Sequence, residues 1–170
     1  SGGTARAITK IASQYGSLTL SPDGGSLAYV RGTGGLHRGT WLSNQADFDL
    51  VIWDAERGER WVTGIEGQPL EYANIAGKIP PAVRFGPDGE SLYFTEFGSD
   101  GLVLKRIQLD GSGETVLYKF PDAVDAVLSP DLEWIAIREY HRSYITPFQP
   151  AGAPIKVAAY DGVGTSIRVD

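Results

Sequence analysis

The chain has 170 residues, 42% of them hydrophobic and 21% charged, which is the make-up of a globular protein with room for a sizeable core and not of a disordered one. Fifteen basic against twenty-one acidic residues leave a net charge of −6, which disfavours a nonspecific grip on nucleic acid or on an anionic membrane surface. With no cysteine there is neither a disulfide framework nor a thiolate metal site, and no apolar run of about 18 residues marks a membrane span or a leader within the chain.

In chain order, Arg6-Ala7-Ile8-Thr9 is a short β-type segment that reads as the closing strand of a preceding unit. Ser21-Pro22-Asp23-Gly24-Gly25-Ser26-Leu27-Ala28-Tyr29-Val30 then reads as a tight turn that feeds a strand. Proline presets φ, aspartate bonds its own backbone, and Gly24 supplies positive φ. A third strand at Leu50–Trp53, a turn over Asp54–Gly58 and a fourth strand around Trp61 complete the unit.

The same phrase recurs at Gly86-Pro87-Asp88-Gly89, followed by Leu92-Tyr93-Phe94-Thr95, a run apolar or β-branched on both faces and therefore expected to be covered on both. The unit continues with Leu102–Ile107, a turn at Asp110–Gly113, and Val116–Tyr118. It recurs again at Ser129-Pro130-Asp131-Leu132, with Trp134–Ile137, Ser143–Thr146, a turn at Gln149–Gly152 and Ile155–Ala158. Leu132 stands where the other turns have glycine. Because leucine at positive φ is strained, the third turn is expected to adopt a different type. Trp53, Trp61, Trp134 and Tyr93 fall in strands and read as core.

Pro87 and Pro130 lie 43 residues apart, the period of a four-stranded β-propeller blade. The expectation is an all-β chain of three four-stranded antiparallel blades over residues 12–64, 81–120 and 123–160, with 164–170 opening a further blade. Closed propellers need about four to eight blades, so three imply a larger parent or completion by self-association through open blade edges. The first unit is longer than the second, through insertions at 31–49 and 65–80. Such loops serve either as surface decoration or as a lid or docking surface.

Two polar groupings are candidate ligand or partner contacts. Glu139, Tyr140, His141 and Arg142 sit where the second strand of the third unit passes to the third. A histidine beside a carboxylate can act as base or ligand, but a polar connecting loop explains the cluster as simply. His37, Arg38 and Trp41 lie in the first insertion behind a glycine-rich lead. No Lys-Ser/Thr ending or helical period supports phosphate binding there, whereas an exposed tryptophan suits a recognition surface. Pro22, Asp23, Gly24, Pro87, Asp88, Gly89, Pro130 and Asp131 are read as structural turn residues, not calcium ligands. No Gly-x-Ser-x-Gly elbow occurs, and two histidines without cysteine make a poor transition-metal site, so no catalytic residue, metal or cofactor is assigned.

The repeats Ser-Pro-Asp-Gly-x-x-Leu-Ala-Tyr at 21–29 and Pro-Asp-Gly-x-x-Leu-Tyr-Phe-Thr at 87–95 resemble those of TolB-like β-propellers, over nearly the whole chain. Residues 134–148, with Gly152 and Pro154, are similar to a narrower group in which such propellers precede a metal-dependent amidohydrolase domain in one secreted or periplasmic polypeptide. That resemblance implies a non-catalytic propeller that scaffolds or gates a hydrolase downstream of Asp170. The family's His-x-His metal motif has no counterpart in His37 and His141. The alternative is a freestanding propeller that binds a protein or polysaccharide partner in the cell envelope. A weaker third reading places an enzyme site in the propeller's own channel.

Overall fold

The computed structural model describes residues 4–5, 7–9, 13, 15–32, 47–66, 68–69, 78–79, 81–99, 101–139, 141–148 and 158–160. Among them there is no helix, and the strands form three four-stranded antiparallel sheets. Blade 1 comprises β1 (Tyr15–Leu20), β2 (Ser26–Gly32), β3 (Asp47–Asp54) and β4 (Gly58–Glu66), paired in that order. A short pair, β5 (Gln68–Pro69) with β6 (Lys78–Ile79), lies within the second insertion and was not anticipated. Blade 2 comprises β7 (Val83–Phe85), β8 (Ser91–Gly98), β9 (Gly101–Gln108) and β10 (Thr115–Phe120). Blade 3 comprises β11 (Ala123–Leu128), β12 (Trp134–Glu139), β13 (Ser143–Pro147) and β14 (Ala158–Tyr160).

Side-chain alternation along each strand decides how the sheets stack. In β8, Leu92 and Phe94 join one core with Ala28, Val30, Leu50 and Ile52 of blade 1. Tyr93, between them, joins a second core with Leu128, Ile135 and Ile137 of blade 3. Both faces of the middle sheet are therefore covered, which is why Ser91–Thr95 are all buried. Each fully buried leucine, isoleucine or phenylalanine contributes about 1.5–3 kcal/mol to this face-to-face packing. Backbone and side-chain bonds also cross between sheets. Ser17, at a bulge in β1 with φ 51°, donates its hydroxyl to the Pro81 carbonyl at 2.5 Å, and the Glu66 amide donates to Glu96 Oε1 at 3.2 Å.

The three Pro-Asp turns share one hydrogen-bond plan. The fourth turn residue donates its amide to the first residue's carbonyl in each: Gly24 to Ser21 at 2.8 Å, Gly89 to Gly86 at 2.9 Å, Leu132 to Ser129 at 3.1 Å. The turn aspartate accepts the amide two residues on, from Gly25, Glu90 and Glu133. In blades 1 and 3 the leading serine donates its hydroxyl to that carboxylate. Blade 2 has Gly86 there, and the Ser91 hydroxyl bonds Asp88 instead. A Cβ on Gly86 would lie 2.5 Å from Ser91 Oγ and 2.7 Å from Asp88 Oδ1, so a side chain there would collide with both members of that bond.

Several expectations need correction. Leu132 has φ 58° and completes the same turn as Gly24 and Gly89; its side chain is buried in the core between blades 2 and 3, and that burial offsets the left-handed backbone. Trp61 and Trp134 are not core: they are 62% and 39% exposed, because they sit on the faces of blades 1 and 3 turned away from blade 2. Ala7–Thr9 form no strand. Residues 149–157 and the segment 164–170 lie outside the described residues.

Candidate functional site

Antiparallel pairing gives every blade a turn end and a loop end. Ser26 opposite Asp54, Ser91 opposite Gln108 and Trp134 opposite Pro147 mark the turn ends. Gly32 opposite Phe48, Gly98 opposite Gly101 and Arg138 opposite Ser143 mark the loop ends. The blades keep these ends aligned: Pro22 Cδ lies 3.7 Å from the place a Cβ would take on Gly89, and the Tyr93 and Phe148 rings, both beside turns, meet edge to face at 5.8 Å.

The turn end is short and self-satisfied. Asp23 is held below the usual carboxylate range by the Ser21 hydroxyl and the Gly25 amide, and Asp131 by the Ser129 hydroxyl and the Glu133 amide. For Asp88 burial pushes upward, but the Glu90 amide, the Ser91 hydroxyl and amide, and Arg106 together bring it down. These carboxylates are committed to their own turns, which accounts for Pro22, Asp23, Gly24, Pro87, Asp88, Gly89, Pro130 and Asp131 without a ligand.

The loop end carries the polar candidates. At the β12–β13 connection the Glu139 amide donates to the Arg142 carbonyl at 2.8 Å, and the Arg142 guanidinium pairs with the Glu139 carboxylate. Glu139 is mostly covered while Arg142 and His141 are exposed. Tyr144, which sequence reasoning missed, belongs here too: burial, then the Glu139 carboxylate, pushes its hydroxyl pKa up. Tyr140 lies outside the described residues. So do His37, Arg38 and Trp41, on a connection whose flanking strands close at Gly32 and Phe48, at this same end of the blade.

A guanidinium paired with a shielded carboxylate beside an exposed imidazole is a surface for polar contacts, not a nucleophile with its base. Among the described residues no group of three His, Cys, Asp or Glu side chains could hold a metal ion. A cavity of about 10 Å³ between blades 2 and 3, lined by Val83, Phe94, Leu104, Leu128 and Ile135, has room for no more than a water molecule. No helix among the described residues is long and apolar enough to cross a membrane.

No family model matches the chain, and no curated protein matches it. Solved structures share its fold. A TolB-type protein of Agrobacterium tumefaciens superposes with a TM-score of 0.59 at 23% identity, over 95% of this chain and 55% of that one. A puromycin-hydrolyzing peptidase of Mycobacterium tuberculosis gives 0.55 at 20% identity, over 85% of this chain and 22% of that one. The β-propeller domain of the trilobed protease of Pyrococcus furiosus, which has an open velcro topology, gives 0.51 at 12% identity, over 89% and 43%. The chain thus has the fold of TolB-like and peptidase-associated β-propellers, and it spans about half the length of the first relative and about a fifth of the second.

Proposed function

We propose that the chain is a non-catalytic β-propeller module that scaffolds or gates an adjoining hydrolase domain, presenting its loop end to substrate or partner. The observation that carries this reading is the asymmetry of the two ends. At the turn end Asp23 and Asp131 are spent on their own turns and Asp88 on its turn and Arg106, whereas at the loop end His141 stands exposed beside Arg142, which is exposed and paired with Glu139. The size relation to the mycobacterial peptidase, in which matching sheets fill about a fifth of the chain, fits an accessory domain. The resemblance of residues 134–148 favours an amidohydrolase neighbour and a periplasmic or secreted setting. The test has two arms. The pure chain should turn over neither amide nor peptide substrates; measured turnover overturns the reading. In the parent polypeptide, H141A with R142A should raise the KM of the hydrolase and leave kcat unchanged; no change in either refutes gating through this end.

A second reading is favoured by the Agrobacterium relative, less than twice the length of this chain: a freestanding propeller that binds a protein or polysaccharide partner in the cell envelope. A reading frame that ends without a hydrolase domain would select it.

A further inference from the structure

Trp61 is 62% exposed, yet its ring is held in one orientation, because the indole Nε1–H donates to Asp49 Oδ1 at 3.0 Å. The other oxygen of Asp49 takes the Arg31 guanidinium at 3.1 Å, and Arg31 reaches on to Glu59 Oε1, also at 3.1 Å. The Tyr29 hydroxyl donates to that same Glu59 oxygen. Burial, then Glu59, pushes the Tyr29 hydroxyl pKa up, so it stays a donor. Both oxygens of Asp49 and one of Glu59 are thus occupied, while Glu59 Oε2 has no hydrogen bond among the described residues. Glu59 and Trp61 stand two residues apart in β4, so their side chains share one face, about 6.5 Å apart along the strand.

A neighbouring blade does not cover this place. Trp61 pairs with Val51 as Val116 of blade 2 pairs with Lys105, and a one-residue bulge follows each. Val51 in turn pairs with Tyr29 and Lys105 with Phe94, at equal distance from the turn prolines Pro22 and Pro87. Val116 therefore holds the equivalent position, and it is 47% exposed although blade 1 lies against that face of blade 2 and buries Phe94 there. The fourth strand is a rim, and Trp61 on it is accessible whatever stands beside blade 1.

We infer that Trp61, with Asp49, Arg31 and Glu59 behind it, is a binding site for a neutral glycan, a β-linked hexopyranose chain with one sugar ring lying on the indole. A pyranose with equatorial substituents presents an apolar face of axial C–H groups and a girdle of hydroxyls. The face stacks on an aromatic ring, and a girdle hydroxyl donates to a carboxylate at the ring's edge, the place Glu59 takes. Because Asp49 already fixes the indole, binding costs little side-chain freedom. Charge selects among ligands. Arg31 offsets one of the two carboxylates, so an anionic glycan meets a net negative site. A cationic segment meets a carboxylate already matched by Arg31 and Tyr29, and an exposed ion pair adds little. A neutral sugar needs only what is left, one acceptor oxygen and an apolar face. The inference goes beyond the scaffold role and stands whether or not a hydrolase adjoins.

Titration of the 170-residue chain with cellohexaose and with chitohexaose up to about 20 mM tests it, read by NMR at the Trp61 indole N–H, the signal that W61F removes. The expected result is a saturable shift of that signal with at least one of the two sugars. Saturation transfer to the sugar then reads the variants. W61A should bind at least tenfold more weakly, and W61F should lose less, because a ring remains without its anchor to Asp49. E59Q should weaken binding a few-fold while its amide oxygen still accepts from Tyr29 and Arg31. Circular dichroism checks each fold, and W61F with E59Q decide the matter if W61A does not fold. The absence of a saturable shift with either sugar overturns the inference, and so does unchanged binding in W61A. Tighter binding of polygalacturonate or of a hexa-arginine peptide than of the neutral sugars also overturns it, the second outcome meaning that the rim takes a cationic protein segment.

Discussion

Leu132 allows a test in which the usual order of two substitutions reverses. In ordinary backbone, glycine is less stable than alanine by about 0.5–1 kcal/mol, because it loses more conformational freedom on folding. At φ 58° the order should invert, since alanine keeps the Cβ clash of a left-handed residue, about 1 kcal/mol, and glycine does not. Either change also removes a buried leucine side chain from the core between blades 2 and 3, which costs about 2–5 kcal/mol. L132A and L132G should therefore both lose stability, with L132G the more stable of the two by up to about 0.5 kcal/mol, the clash less the freedom glycine loses, although it is the smaller residue. Urea unfolding followed by tryptophan fluorescence reads the difference, provided the slopes agree. If L132A equals or exceeds L132G, Leu132 does not hold positive φ and the shared turn plan is wrong for blade 3.

The crowding at Gly86 gives a second test: G86S should destabilise, because its Cβ meets both Ser91 Oγ and Asp88 Oδ1, and S91A added to it should recover only part of the loss, measured as a double-mutant cycle in urea. The depressed carboxyls of Asp23, Asp88 and Asp131 set a pH dependence. Their contribution is complete above the unfolded carboxyl value, about 3.9, and is lost as pH falls through their lower folded values. Melting temperatures should thus be level from about pH 7 to 5 and drop below about pH 4, and D88N should make the drop shallower. H141A should leave the unfolding midpoint within about 0.5 kcal/mol of the parent, because the side chain is exposed; a larger loss would make the loop end structural.

What the sequence made legible was what local chemistry decides. The Pro-Asp turns, the strands they join and the double burial of Leu92–Phe94 follow from dihedral preference and side-chain alternation, and all are present. What it hid depends on neighbours distant in the chain. Trp61 and Trp134 have strand composition, but composition does not tell which sheet face meets another sheet, so a tryptophan on an outward face looks like one in the core. Leu132 was misjudged for the opposite reason: the strain is local and visible, whereas the burial that compensates it comes from packing between two blades. At the loop end Glu139 and Arg142 were legible as a cluster because they are adjacent in sequence, and Tyr144 was missed because the turn between β12 and β13 brings it in.

The account rests on sheets stacked face to face, with the middle one buried on both sides. Side-chain nuclear Overhauser contacts of Tyr93 and Phe94 test this most directly, because the two residues are neighbours in β8. Contacts from Phe94 to Leu50 and Ile52 of blade 1, together with contacts from Tyr93 to Ile135 and Phe148 of blade 3, are the predicted result. Contacts from both rings to the same blade, or from neither to any other sheet, would contradict it.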